Sequence, residues 1–177
     1  MMNTFLIWFY CLDMPEALAL ILCATGVFLW LRARFGGRSV WKPTVFCLLV
    51  LWLVLVLSMT IVRRESALRQ ENSLIPFYSY YSVLRGANKE LIRSNLMNVL
   101  LFYPAGLLLG ALLPEGWKPW KRVLLAAAAA LTLSFLIEMA QYCFRLGIAE
   151  TDDVIHNTLG AFLGALALGL PLELKRE

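Results

Sequence analysis

The chain has 177 residues, a formal charge of +4, 60% hydrophobic and only 16% charged residues. Soluble domains average roughly 45–50% apolar and about 25% charged, so this composition excludes a soluble enzyme and a disordered tail. The small, scattered positive charge is no footprint for nucleic acid.

In chain order, five stretches reach or approach the roughly 20 apolar residues that a spanning helix needs. They are Met14–Leu31, Pro43–Val62, Asn95–Leu113, Val123–Tyr142 (running on to Phe144) and Val154–Leu172. The expected fold is an all-α polytopic membrane bundle of about five helices, one domain over 1–177. Asp13-Met14-Pro15-Glu16 reads as the start of the first helix, with Asp13 as N-cap and Glu16 at the third position. Phe5, Trp8, Phe9 and Tyr10 before it form an interfacial aromatic belt. No Lys or Arg precedes Arg32, so a cleaved signal peptide is not expected.

Flanks 32–42, 114–122 and 173–177 are more densely basic than 1–13, 63–94 and 145–153. By the positive-inside rule the N-terminus lies outside and the C-terminus in the cytoplasm. Arg63 and Arg64 oppose the rule, beside Glu65. The loop 63–94 is apolar and aromatic from Asn72 to Tyr81. It is too short to span, and reads as lying in the headgroup layer or dipping toward the bundle.

The informative residues are the polar ones that lipid should exclude. Ser134, Glu138, Gln141 and Arg145 fall within an arc of about 60° on the fourth helix. Asp153, Asn157, Gly160 and Gly164 make a similar stripe on the fifth, and Asn95, Asn98, Phe102 and Gly106 share an arc on the third. In the expected orientation the polar residues lie at one outer level, with the stripes turned toward each other around an outward-facing pocket. Glu138 sits roughly 6–9 Å inside its span. An ionised group there needs a partner, from Arg145 or from Arg63, Arg64, Arg85 or Arg93 in the loop.

Glu150, Asp152 and Asp153 have two readings. They favour the helix dipole at the start of the fifth helix, and they face the pocket with Glu138. The catalytic candidates are Glu138, Asp152 and Asp153. The binding candidates are Asn98, Ser134, Glu138, Gln141, Arg145, Glu150, Asp153 and Asn157. His156 reads as a helix–helix hydrogen bonder. Cys11, Cys23, Cys47 and Cys143 form no CxxC or Cys/His cluster, so neither zinc, another metal nor any cofactor is expected. Ala126–Ala130 reads as a close-packing face. Gly106/Gly110 and Gly160/Gly164 allow backbones to approach. They mark the third and fifth helices as neighbours, or a homo-oligomer contact.

Four ordered motifs carry a resemblance. Asn98-Val-Leu-Leu-Phe102-Tyr-Pro104-Ala-Gly106 fits N-x-x-x-F-x-P-x-G, and Ser134-Phe-Leu-Ile-Glu138-Met-Ala-Gln141 fits S-x-x-x-E-x-x-Q. Glu150-Thr-Asp152-Asp153-Val-Ile-His-Asn157-Thr158-Leu-Gly160 is similar to D-x-x-D-x-x-x-N-T-x-G. Asn72-Ser-Leu-Ile-Pro76-Phe77 resembles an upstream N-L-x-P-F element. Together, over about 72–164, they resemble the VanZ-like family of bacterial membrane proteins. Glu150 departs from the usual Asp, and Ser73 is inserted near Asn-Leu. The resemblance implies a multi-pass cell-membrane protein connected to glycopeptide resistance of the teicoplanin type.

Three functions are weighed. The first is binding of a membrane lipid, a lipid-linked envelope precursor or the glycopeptide itself in an outward polar pocket. The second is an enzyme modifying a lipid headgroup or precursor, with carboxylate acid–base residues and Arg145 holding an anion. The third is a small transporter or flippase. Binding is favoured. No nucleophile elbow, P-loop or zinc motif is present, and the polar groups occupy one level rather than a path across the membrane.

Overall fold

The computed structural model describes residues 14–62, 71–86 and 90–173. The expected aromatic belt, the Asp13 cap and the loop residues Arg63, Arg64, Glu65, Arg69 and Lys89 lie outside them. The described chain is an all-α membrane helix bundle. It divides into two compact units, Met1–Arg38 and Ser39–Glu177.

In the first unit, helix α1 (Met14–Phe35) has Glu16 in its first turn and Arg32 and Arg34 in its last. Both ends therefore suit the helix dipole. The chain turns after it, with Gly36 N–H bonded to the Arg32 carbonyl, and the Arg38 guanidinium lies 4.7 Å over the Phe35 ring.

The second unit holds α2 (Trp41–Leu57), a π-helical turn (Ser58–Val62), β1 (Glu71–Ser73), α3 (Tyr78–Leu84), α4 (Glu90–Leu112), α5 (Pro119–Phe144), β2 (Ile148–Glu150) and α6 (Thr151–Glu173). Among the described residues, four helical segments are long and apolar enough to cross a membrane: Leu18–Phe35, Trp41–Val62, Glu90–Leu112 and Pro119–Phe144. α6, the expected fifth, has 23 residues, about 34 Å at 1.5 Å per residue, and opens with two buried aspartates.

Two features go beyond the expectation of spanning helices joined by loops. The loop before α4 contains the short helix α3. Strands β1 and β2 pair in parallel with Glu71 opposite Ile148, Asn72 opposite Ala149 and Ser73 opposite Glu150. This pairing ties the loop to the start of α6.

α4 and α6 make the closest helix pair, and glycine is the reason. A Cβ on Gly106 would meet the backbone of Ala161. One on Gly160 would meet Val99, and one on Gly164 would meet Tyr103 and Leu107, again at backbone. With little hydrophobic drive between helices in lipid, close van der Waals approach and interhelical hydrogen bonds hold them. The two glycine faces meet each other within the chain. Buried Ala126 of α5 packs with Val123 against Ala165 of α6. Leu101 and Phe102 of α4, Ala130 and Ile137 of α5, and Ala161 of α6 form another apolar core, with Val56 of α2.

Polar side chains complete the backbone where helices end or break. Pro104 inside α4 has no N–H and removes a rung of the ladder. Close by, the Leu101 carbonyl accepts the Trp52 indole N–H at 2.9 Å. Gln141 Nε2 donates to the Thr60 carbonyl in the π-helical turn at 3.0 Å. Buried Arg122, read from the sequence only as a basic flank, donates to the Gly110 carbonyl in the last turn of α4. The Gly110 bond satisfies a carbonyl in the last turn of α4 that hydrocarbon would otherwise leave orphaned.

Candidate functional site

The site forms where α4, α5 and α6 meet at the first turns of α6. From α5 come Ser134, Glu138 and Gln141, all buried, and from α6 come Asp153 and Asn157, also buried. Their spacing turns the two stripes toward each other. Asn157 Nδ2 donates to Ser134 Oγ at 2.8 Å. From α4, Asn98 Nδ2 donates to Asp153 Oδ1 at 2.6 Å. Glu138 Oε2 accepts the Glu150 backbone N–H at 2.9 Å.

This last bond gives Glu138 a partner that the sequence did not suggest. Of the expected arginine partners, Arg63 and Arg64 lie outside the described residues. The structure sets the carboxylate against the backbone entering α6, where free N–H groups and the helix dipole favour an anion. The chain reaches that position by a sharp reversal after α5. Arg145 and Gly147 both take positive φ, 56° and 101°, before β2 begins. Arg145 is the left-handed C-cap of α5, and its side chain is exposed. It does not join the buried residues of its stripe; the backbone turn it makes carries Glu150 to Glu138. Arg85 lies over the Tyr81 ring at 4.1 Å, and Arg93 pairs with Glu90 at 3.8 Å.

The adjacent aspartates part company. Asp153 faces Asn98. Asp152 faces the other way and holds α3, accepting Phe77 N–H at 2.5 Å on Oδ1, and Ser79 N–H at 2.9 Å and Ser79 Oγ–H at 2.6 Å on Oδ2. Successive helical residues point about 100° apart, so two neighbouring carboxylates serve different elements. His156, one turn after Asp152, is bonded to Tyr80. Ser79, Tyr80 and Thr60 were not singled out from the sequence. The only signal for Tyr80 was its place in an aromatic run.

Among the described residues, three buried amide atoms have no hydrogen-bond partner: Asn95 Nδ2, Gln141 Oε1 and Asn157 Oδ1. Such atoms cost free energy unless something pairs with them. Beside Glu138 a groove of about 370 Å³ opens between α5, β2 and α6. Phe135, Met139 and Tyr142 form its α5 wall, Leu74 and Val154 face them, and Glu138 and Glu150 supply its polar groups. Glu138 is 8% exposed, whereas Phe135 is 55% and Tyr142 42% exposed. The groove therefore has an apolar, open flank and a buried carboxylate. It can take a ligand with an apolar body and a hydrogen-bond donor.

Comparison with known proteins follows the same residues. The family model described as VanZ/LLP1 matches residues 44–170, which take in all four motifs. A segment of 79 residues is 39% identical to Protein VanZ of Enterococcus faecium. It covers 44% of this chain and 45% of that relative, so the match spans less than half of the relative's length. No solved structure matches. Motifs separate in sequence but joined by hydrogen bonds at one end of α6, within a family match over most of the chain, identify a membrane protein that belongs to the VanZ/LLP1 family.

Proposed function

We propose that this chain is a multi-pass protein of the cell membrane that binds an envelope lipid or lipid-linked precursor and so contributes to glycopeptide resistance of the teicoplanin type. The observation that carries the reading is the groove beside Glu138. Its apolar flank suits a lipid chain, and its one deeply buried carboxylate suits a hydroxyl or ammonium group of the headgroup. The expected topology puts this end of the bundle outside, where envelope precursors are displayed. The glycopeptide itself is the alternative ligand.

Glu138→Gln tests this reading. The amide oxygen still accepts the Glu150 N–H, so the local fold persists, while the charge offered to the ligand is gone. A hydrogen bond to a charged group is worth about 1.5–3 kcal/mol, so lipid retention should fall by about tenfold or more. Native mass spectrometry of purified protein reads the retained ligand, and growth under teicoplanin reads resistance at matched membrane levels. Loss of both is expected. A Glu138→Gln protein with the wild-type amount of bound lipid and full resistance would sink the proposal. Retention of added teicoplanin, with no lipid, would replace the ligand by the antibiotic.

A further inference from the structure

On the opposite side of α6 from the groove lies a second arrangement that the binding function does not use. His156 is about 160° round the helix from Val154. It is 5% exposed. Its Nδ1 lies 2.5 Å from the Asp152 carbonyl oxygen, and its Nε2 lies 2.8 Å from the Tyr80 hydroxyl. A backbone carbonyl can only accept, so Nδ1 carries the proton of the neutral ring. Nε2 is then a lone pair, and the Tyr80 hydroxyl donates to it. The two rings also stack, with centroids 5.7 Å apart and planes 25° apart. Asp152 fixes the distance from both sides, because its carbonyl orients the imidazole and its carboxylate holds the first residues of α3, which carries Tyr80.

We propose that Tyr80 is a base-activated nucleophile with His156 as its base, a site for an electrophilic ester presented at this end of the bundle. The three parts of an activated nucleophile are present: a hydroxyl, a base within hydrogen-bond reach, and a group that orients the base. In the step, the Tyr80 oxygen attacks the acyl or phosphoryl centre and the new O–C or O–P bond forms. The hydroxyl proton passes to His156 Nε2. The bond to the leaving oxygen breaks, and that oxygen takes the proton from Nε2, which leaves the imidazole neutral again.

Tyr80 is 37% exposed, so the hydroxyl-bearing residue is reachable, while the base behind it is shielded. Tyr78 and Tyr81 of the same short helix are more exposed, at 43% and 50%. Accessibility alone would therefore make Tyr80 the slowest of the three to react. Arg85 sits over Tyr81, so Tyr78 is the cleaner reference.

The test is the rate at which an aryl sulfonyl fluoride modifies each tyrosine of the full chain in detergent, read by peptide mass spectrometry. The chemistry parallels the proposed step: an S–O bond forms, fluoride leaves, and the proton goes to His156. General-base assistance contributes about 10²–10⁴-fold in enzymes, and at least about a tenfold preference for Tyr80 over Tyr78 is expected. His156→Gln and His156→Leu should each remove the preference while Tyr78 reacts at its wild-type rate. That constant rate reports that α3 is still in place. If a variant loosens α3, so that Tyr78 speeds up, the wild-type preference for Tyr80 over Tyr78 still decides the matter. Equal or slower labelling of Tyr80 in the wild-type protein overturns the proposal, as does a preference that survives both His156 substitutions.

Discussion

Gly164→Ala is expected to lower the stability of the purified protein by about 3 kcal/mol. In thermal unfolding this is a fall of about 6–12 °C in Tm for a chain of this size. The cause is local. The added methyl lands on the Tyr103 carbonyl, with the Leu107 amide nitrogen 2.8 Å away, and neither belongs to a side chain that can swing aside. α4 and α6 must separate, and separation also stretches the Asn98–Asp153 bond across the same pair. Gly106→Ala and Gly160→Ala should behave alike, because their new methyls meet backbone of Ala161 and Val99. Gly110→Ala should be milder, since its nearest neighbour is the Leu168 Cδ2 at 3.3 Å, the end of a side chain. Gly116→Ala has nothing within 4 Å and should stay within about 0.5 kcal/mol of wild type. A Gly164→Ala protein that unfolds at the wild-type temperature would mean that α4 and α6 do not approach this closely in the membrane protein.

Asp152→Ala is expected to release α3 while leaving the spanning helices folded. It strips acceptors from the Phe77 and Ser79 amides and from the Ser79 hydroxyl. Hydrogen bonds to a charged acceptor are worth about 1.5–3 kcal/mol each. Phe77 also holds a left-handed conformation at φ 61°, which costs on the order of 1–3 kcal/mol and persists only while its surroundings enforce it. A local loss of about 3 kcal/mol raises the open population about 100-fold. Hydrogen–deuterium exchange at residues 77–84 should accelerate by that factor, with α4 and α5 unchanged. Asp152→Asn keeps one acceptor oxygen and should give a smaller acceleration. Unchanged exchange in Asp152→Ala would remove Asp152 from this role. The contrast with Glu138→Gln is informative, since that variant is expected to change ligand retention and not α3.

Several parts of this architecture were legible because they rest on local chemistry. Runs of apolar residues mark helices whatever their neighbours are. The stripe Ser134–Glu138–Gln141 is legible because the helical repeat puts those residues on one face. Gly106, Gly110, Gly160 and Gly164 announce close approach because only glycine leaves a backbone bare. Which partner each polar group meets was not legible. Arg145 shares the stripe angle of Glu138, yet it ends the helix in a left-handed turn and its side chain stays exposed. Asp152 and Asp153 look like one acidic pair and serve α3 and α4 separately. Arg122 reads as a surface charge and instead caps α4.

The sequence by itself determined that this is a lipid-solvated helical protein of a recognisable family, and which few polar residues lie against the grain of that solvent. Hydropathy and helical spacing are properties of neighbouring residues, so they need no fold to be read. Only the tertiary structure decided that β1 meets β2 across a long stretch of chain, that Glu138 accepts the backbone N–H of Glu150, and that Tyr80 meets His156. Those pairings depend on how helices rotate and how the loop returns. In a bilayer the rotation is set by the close contact of bare glycine backbone and by the cost of leaving any buried polar group unpaired.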